Sequence, residues 1–235
     1  MSSPRVLVIE HQAMCPPAHV GDWLAEAGVG VEVCRPYAGD TLPDLREYDG
    51  LLVLGGAMSA YDDEVHHWLG PVKELIREAS ATNVPTMGIC LGNQLIAVAL
   101  GGEVRVNPRG QQLGLLDVGW LPAADEDQVM APTKQIRGIH WNNDVVGVLP
   151  EGAELLATAD GDVQVVRFAT TVWGLQLHPE IDEHVVVPWA EGDREEHQRR
   201  GVDQAALIVS IKEARAEMDS AWRPVFERFA GLMKA

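Results

Sequence analysis

Apolar runs of strand length alternate with helical stripes over the first hundred positions. Val6-Leu7-Val8-Ile9 is one such run, and Val20 to Ala27 carries its apolar residues at helical spacing as far as Gly28, a residue suited to closing a helix. Val29 to Cys34 returns to strand length. Leu51-Leu52-Val53-Leu54 is uninterrupted and ends in Gly55-Gly56, the pattern of a parallel strand buried on both faces and closed by a turn. Trp68, Val72, Leu75, Ile76 and Ala79 mark a helix. A strand over Val84 to Ile89 and an apolar helix over Leu91 to Leu100 follow it.

A βαβα series of this kind predicts an α/β fold: an open, mostly parallel central sheet with helices on both faces, a flavodoxin-like architecture. Its ligands lie beyond the carboxyl ends of the strands. After Leu100 the segments are shorter and alternate. Leu113 to Trp120, Val163 to Phe168 and Val172 to Leu177 are expected as antiparallel additions to the same sheet. Leu207, Ile211, Ala214, Met218, Trp222, Val225, Phe229 and Leu232 fall at helical spacing, with Pro224 expected to kink or divide that helix. No repeat, low-complexity tract or long linker interrupts the chain, so residues 1–235 are expected to form one domain. Its core spans about 6–189 and a helical extension about 190–235.

Composition narrows the function classes. The 235 residues are 46% hydrophobic and 23% charged, ordinary values for a globular protein. Eighteen Lys and Arg against 35 Asp and Glu give a net charge of −17, a field that repels phosphate backbones and anionic lipid. Nucleic-acid and membrane-surface roles are therefore not expected. The N-terminus lacks the long apolar core and cleavage site of a signal peptide, and Val84 to Gly102 is too interrupted for a lipid-facing span, so a soluble, cytoplasmic protein is expected. Cys15, Cys34 and Cys90 form no Cys-x-x-Cys pair and leave an odd one over, against both a disulfide framework and a zinc site. His66-His67, on an expected helix, reads as a solvated pair, and Glu191 to Glu196 as a solvated loop between helices. No metal or cofactor is called for.

One cysteine stands apart. Gly88-Ile89-Cys90-Leu91-Gly92 lies where a buried strand gives way to a helix, with the Gly-x-nucleophile-x-Gly form of a strained elbow. The flanking glycines let the backbone turn sharply against its neighbours, and the helix N-terminus favours a thiolate. Cys15 and Cys34 have no elbow and no evident base, and are expected to be buried or partly buried and dispensable. A base for Cys90 is available in Trp173-Gly174-Leu175-Gln176-Leu177-His178-Pro179-Glu180. Strand alternation puts Gln176 and His178 on one side, and Pro179 keeps the segment extended so that Glu180 reaches the imidazole.

With Gln94 completing Gly-x-Cys-x-Gly-x-Gln, and His-Pro-Glu in the C-terminal third, the chain resembles a class I, triad-type glutamine amidotransferase. Leu54-Gly55-Gly56-Ala57-Met58-Ser59 is similar to the Gly-Gly-Pro loop of the GMP-synthetase-like branch, and the resemblance runs from about Val6 to Trp189. It implies that Cys90 attacks the glutamine side-chain amide, that His178 shuttles protons and that Glu180 orients His178. It further implies that the N–H groups of Gly56 and Leu91 receive the oxyanion, and that Gln94 and Trp141 hold the substrate backbone. His140 is not the base. Ala57 in place of proline, Asn93 in the elbow, and His140-Trp141-Asn142-Asn143-Asp144 in place of His-Trp-His-x-Asp depart from the family pattern and bear on substrate preference rather than on the triad.

The leading expectation is a glutaminase that releases glutamate and ammonia through a γ-glutamyl thioester. No Gly-x-x-x-x-Gly-Lys phosphate loop is present, so a separate ammonia-accepting synthetase would be needed. A γ-glutamyl hydrolase or peptidase acting on γ-glutamyl amines or peptides uses the same chemistry, and a regulatory or scaffolding subunit without turnover is the non-enzymatic reading. Oligomeric state is not legible.

Overall fold

The computed structural model describes residues 3–131 and 137–233. Strands β1 (Arg5–Ile9), β2 (Gly30–Cys34), β3 (Gly50–Val53) and β4 (Thr86–Ile89) alternate with helices α1 (Ala18–Glu26), α2 (Leu69–Thr82) and α3 (Leu91–Ala99). Two two-stranded ribbons follow, β5 (Glu103–Val106) with β8 (Asp144–Val148) and β6 (Gln112–Asp117) with β7 (Arg137–Asn142). Strands β9 (Glu154–Ala159), β10 (Asp162–Ala169) and β11 (Val172–Leu175) complete a seven-stranded sheet of order β2-β1-β3-β4-β11-β10-β9. The first five of these run parallel, and β10 and β9 add antiparallel at one edge.

Period-two alternation divides the core between the two faces of the sheet. Val8, Leu52, Ile89 and Trp173 face one layer, where Trp23 and Leu24 of α1 meet later aromatic residues Trp222, Phe226 and Phe229. Leu7, Leu51, Val53 and Val172 face the other, against Val72 and Ile76 of α2 and Leu95 and Ile96 of α3. Strands buried on both faces need apolar residues at every position, which is why Leu51 to Leu54 shows no alternation.

Helices α4 (Glu183–Gly192), α5 (Arg194–Arg200), α6 (Gln204–Glu213) and α7 (Arg215–Leu232) end the chain. Trp222, Phe226 and Phe229 of α7 are fully buried, so the last helix forms one wall of the core. No helix among the described residues is long and apolar enough to cross a membrane.

Five local expectations are corrected. The segment from Val172 is not an antiparallel addition but the fifth parallel strand, paired with β4, because period-two alternation does not encode strand direction. The segment from Leu113 is antiparallel but lies in the β6–β7 ribbon rather than in the central sheet; alternation specifies which face is buried, not which strand pairs with it. The C-terminal helical pattern breaks at Ala214 rather than at Pro224, which is accommodated inside α7 where Trp222, Val225 and Phe226 anchor the turn around it. His66 and His67 precede α2 instead of lying on it. Pro71 falls in the first turn of that helix, where a missing N–H costs nothing, and His66 packs on Trp68 at 5.0 Å. The acidic run from Glu191 is mostly helical, with Asp193 at the joint between α4 and α5.

Candidate active site

Cys90 stands between β4 and α3 with φ 53° and ψ −106°, a left-handed conformation that costs a residue with a Cβ about 1–3 kcal/mol. Its two glycines make that turn feasible by close approach. A Cβ on Gly92 would sit 1.9 Å from the Val53 carbonyl oxygen, and one on Gly88 would sit 2.6 Å from the Gly92 carbonyl. Cys90 N–H donates to Leu175 O at 2.7 Å, which ties the elbow to the end of the neighbouring strand β11. The residue is 7% exposed.

Parallel pairing of β4 with β11, Ile89 beside Leu175, brings the chain beyond β11 next to the elbow. Gln176 N–H donates to Gln164 O, and His178 N–H to Ile139 O at 2.7 Å, so the segment stays extended past the strand. Gln176 and His178 both lie at Cys90: Gln176 Nε2 donates to the sulfur at 3.7 Å, and Gly55 packs against both the imidazole and the Cys90 side chain. On its far side the ring meets Glu180, Nδ1 to Oε1, at 2.6 Å. Burial works against charge on this ring, but Glu180 and then Cys90 outweigh it and raise the His178 pKa to about 10.

The loop after β3 closes over this cluster. A Cβ on Gly55 would approach His178 Cε1 to 3.0 Å, and one on Gly56 would meet Leu91 Cδ2 at 2.8 Å. Leu91 is the first residue of α3, where an N–H has no carbonyl one turn back to bond. Gln94, one turn further, donates from Nε2 to Asp144 O at 3.0 Å. Trp141 donates from Nε1 to Asp193 Oδ2 at 2.8 Å.

These residues open onto a cleft of about 640 Å³ that Gly56, Cys90, Gln94, Trp141 and His178 all line. Leu91 borders it through Gly56, and Glu180 supports it through His178. All seven sequence-derived candidates thus gather at the carboxyl ends of the strands. His140 lies beside them in β7, fully buried, with neither ring nitrogen bonded among the described residues. Burial, reinforced by the neighbouring His178 charge and opposed by Asn142, lowers its pKa to about 4.

Other site residues carry no motif. Trp189 of α4 packs edge-on against His178, 5.1 Å between ring centroids, and against Trp141 at 6.0 Å, while its Nε1 donates to Met14 O. Gln12 bridges two loops, accepting from Ala57 N–H and donating to Cys15 Sγ. Cys15 is buried as expected but lines the cleft near Cys90, where burial first and the Cys90 charge second push its thiol pKa up. Asp193 lines the same cleft. Its neighbours Glu191 to Glu196 look like an ordinary solvated run in sequence, and nothing local marks it. A cluster of potential metal ligands among the described residues, Asp182, Glu183 and His184, lies outside the cleft, with Asp182 already serving as the N-cap of α4.

The sequence profile of the glutamine amidotransferase class-I family matches residues 20–185, which includes the elbow, the Gly-Gly loop and the His-Pro-Glu segment. The chain belongs to that family. Across the amidotransferases it is similar to the glutamine amidotransferase-like protein YfeJ of Salmonella typhimurium, 30% identical over 220 residues and 90% of each chain. It is 34% identical over 158 residues to the glutamine-hydrolysing GMP synthase subunit of Sulfolobus acidocaldarius, 65% of this chain and 78% of that one. Gamma-glutamyl peptidase 5 of Arabidopsis thaliana is 28% identical over 147 residues, 61% of this chain and 58% of that one. A crystal structure of a glutamine amidotransferase from Thermotoga maritima superposes with a TM-score of 0.87 at 25% identity, covering 98% of this chain and 99% of that one.

Proposed function

We propose that this amidotransferase-family chain, working as one domain, hydrolyses the γ-amide bond of glutamine or a related γ-glutamyl compound. The observation that carries the reading is the placement of Cys90 and His178 on one cleft at the ends of two adjacent parallel strands, with His178 hydrogen-bonded in turn to Glu180. Cys90 sulfur attacks the γ-carbonyl while the N–H groups of Leu91 and Gly56 receive the oxyanion. The C–N bond then breaks as His178 passes a proton to the departing amine. Water, deprotonated by His178, attacks the thioester and releases glutamate with the thiol restored. Glu180 holds the ring in place throughout and stabilises it whenever it carries the proton. Gln94 positions the substrate backbone, and Trp141, the other candidate for that role, walls the cleft beside Asp193.

The similarity to the glutamine-hydrolysing subunit of GMP synthase supports delivery of ammonia to a separate synthetase chain. A second reading, hydrolysis of substituted γ-glutamyl amides, is favoured by the open cleft of about 640 Å³, since a bulky leaving amine needs such room and ammonia does not. Glutamate release from glutamine and from a γ-glutamyl amine at equal concentration tests both, with Cys90→Ala as the blank. Preference for glutamine supports the amidotransferase. Preference for the substituted amide supports the hydrolase, and no release from either refutes both.

A further inference from the structure

Apart from the His178 imidazolium at the catalytic centre, the charge on the cleft wall is acidic. Asp62, Asp144 and Asp193 line it, and among the described residues no Lys or Arg does. The aspartates form two poles. Asp144 shares its carbonyl with Gln94, and its carboxyl is raised by burial and by Asp62, with a Ser59 hydrogen bond opposing the rise. Asp62 itself accepts from Ser59 N–H at 2.7 Å. The other pole, Asp193, lies beside Trp141 and is approached by Trp141 Nε1 and Gln111 Nε2, two neutral donors. His197 Nε2 is 3.9 Å from Asp193, but that nitrogen donates to Gln111 Oε1 and Nδ1 accepts from Gln204 Nε2, the bonding of a neutral ring, and burial lowers its pKa in the same sense, so it does little to compensate the carboxylate. Arg200, outside the lining, is spent on Gln111.

Buried hydrogen-bonding capacity is skewed the same way. Asn142 lines the cleft at 3% exposure, gives its Nδ2 to Gln112 and to the Asp144 carbonyl, and leaves Oδ1 without a partner among the described residues. Between His178 and Asp193 stand the indoles of Trp189 and Trp141, which offer apolar area to a methylene chain and π faces to a cation. Negative charge at two places on the wall, aromatic area from His178 to Asp193 and a cleft of about 640 Å³ together describe a ligand with a cation at each end.

We infer that the substrate is a γ-glutamyl amide whose leaving group is a diamine, with its α-ammonium at the Asp62–Asp144 pole and the distal ammonium at Asp193. This rests on the γ-glutamyl hydrolase reading above. Water and the amide yield glutamate and the free diamine: the C–N bond breaks, the thioester carries the acyl group, and His178 returns the proton to the amine. Asp193 acts on specificity, through the end of the substrate remote from the scissile bond.

The test is glutamate release by the full chain from four probes: glutamine and the γ-glutamyl amides of 1,4-diaminobutane, n-butylamine and 4-aminobutyrate. These last three have cationic, neutral and anionic leaving groups of similar length. The expected order of kcat/KM is cationic above neutral by about tenfold and neutral above anionic. Raised salt should narrow the gap. Asp193→Asn should bring the cationic-to-neutral ratio close to one, carried by KM. Because the readout is a ratio within one variant, a general loss from disturbing Trp141 cancels. Equal rates for the three amides, or an anionic preference, overturn the inference while leaving γ-glutamyl hydrolysis standing. Preference for glutamine over all three overturns it in favour of the amidotransferase, and silence on every probe removes the underlying reading as well.

Discussion

His178 Nδ1 and Glu180 Oε1 lie 2.6 Å apart, with each side chain only 2% exposed. A carboxylate in such a place needs a compensating charge, and the imidazole supplies it. The pair therefore fixes the orientation of the ring toward Cys90 and makes its protonated form the resting one.

Different losses should follow from removing its members. Cys90→Ala should end glutamate release, and His178→Ala should lower kcat by about 10²–10⁴-fold, the contribution of a positioned acid–base group. Glu180→Gln should cost less, because the ring that carries the proton remains. It should also move the pKa attributable to His178 to lower values in the pH profile of kcat/KM. Equal losses for His178→Ala and Glu180→Gln, with an unmoved profile, would contradict this division of roles.

Stability should depend on pH through three buried histidines, with opposite signs. His11, fully buried, has its pKa lowered by burial, and then by His66, to about 3, and His140 is lowered to about 4. Between these values and the ordinary 6.5 the unfolded chain binds protons that the folded chain refuses. Unfolding free energy should therefore fall on acidification below about pH 6.5, by at most about 1.4 kcal/mol per pH unit for each ring. His178 contributes the reverse: its stabilisation is complete below about pH 6.5 and is lost as pH rises through about 10. Urea unfolding from pH 4 to 10 should give a dome, with His140→Gln flattening its acid side and His178→Gln its alkaline side.

The elbow glycines should be intolerant for steric reasons alone. Gly92→Ala, whose Cβ would meet Val53 O at 1.9 Å, should cost about 3 kcal/mol or more in urea unfolding and displace Cys90. Gly231→Ala in α7 meets nothing within 4 Å and should stabilise by about 0.4–1 kcal/mol. A mild effect at Gly92 would mean that the elbow has slack which the packing denies.

Trp222 should show how far the C-terminal helices belong to the core. It is fully buried, and its Nε1 donates to Arg137 O at 2.9 Å. Trp222→Ala should cost about 3–5 kcal/mol, the range for deleting a buried aromatic ring. A loss under about 1 kcal/mol would show α7 to be an appendage.

The local sequence determined the elements of the parallel half and the chemistry-bearing residues. Leu51 to Leu54 announces a strand buried on both faces, and Gly88 to Gly92 announces a tight elbow, because steric demands on two or three adjacent residues are written into their types. His178 and Glu180 were legible for the same reason: an extended dipeptide step sets their common direction. Partnership across the fold was not legible. Alternation told that β6 had one buried face, but only the packing of the chain decided that it pairs with β7, and only the aromatic anchors around Pro224 decided that α7 runs through it. Trp189 and Asp193 reach the cleft because α4 and α5 fold back over residues far earlier in the chain, with Trp189 Nε1 on Met14 O and Asp193 on Trp141. No short window contains such a relationship. Sequence fixes what a residue can do and which way its neighbours point, whereas the long-range burial of Trp173, Trp222 and Phe226 selects which segments meet, and so decides the walls and the charge of the cleft.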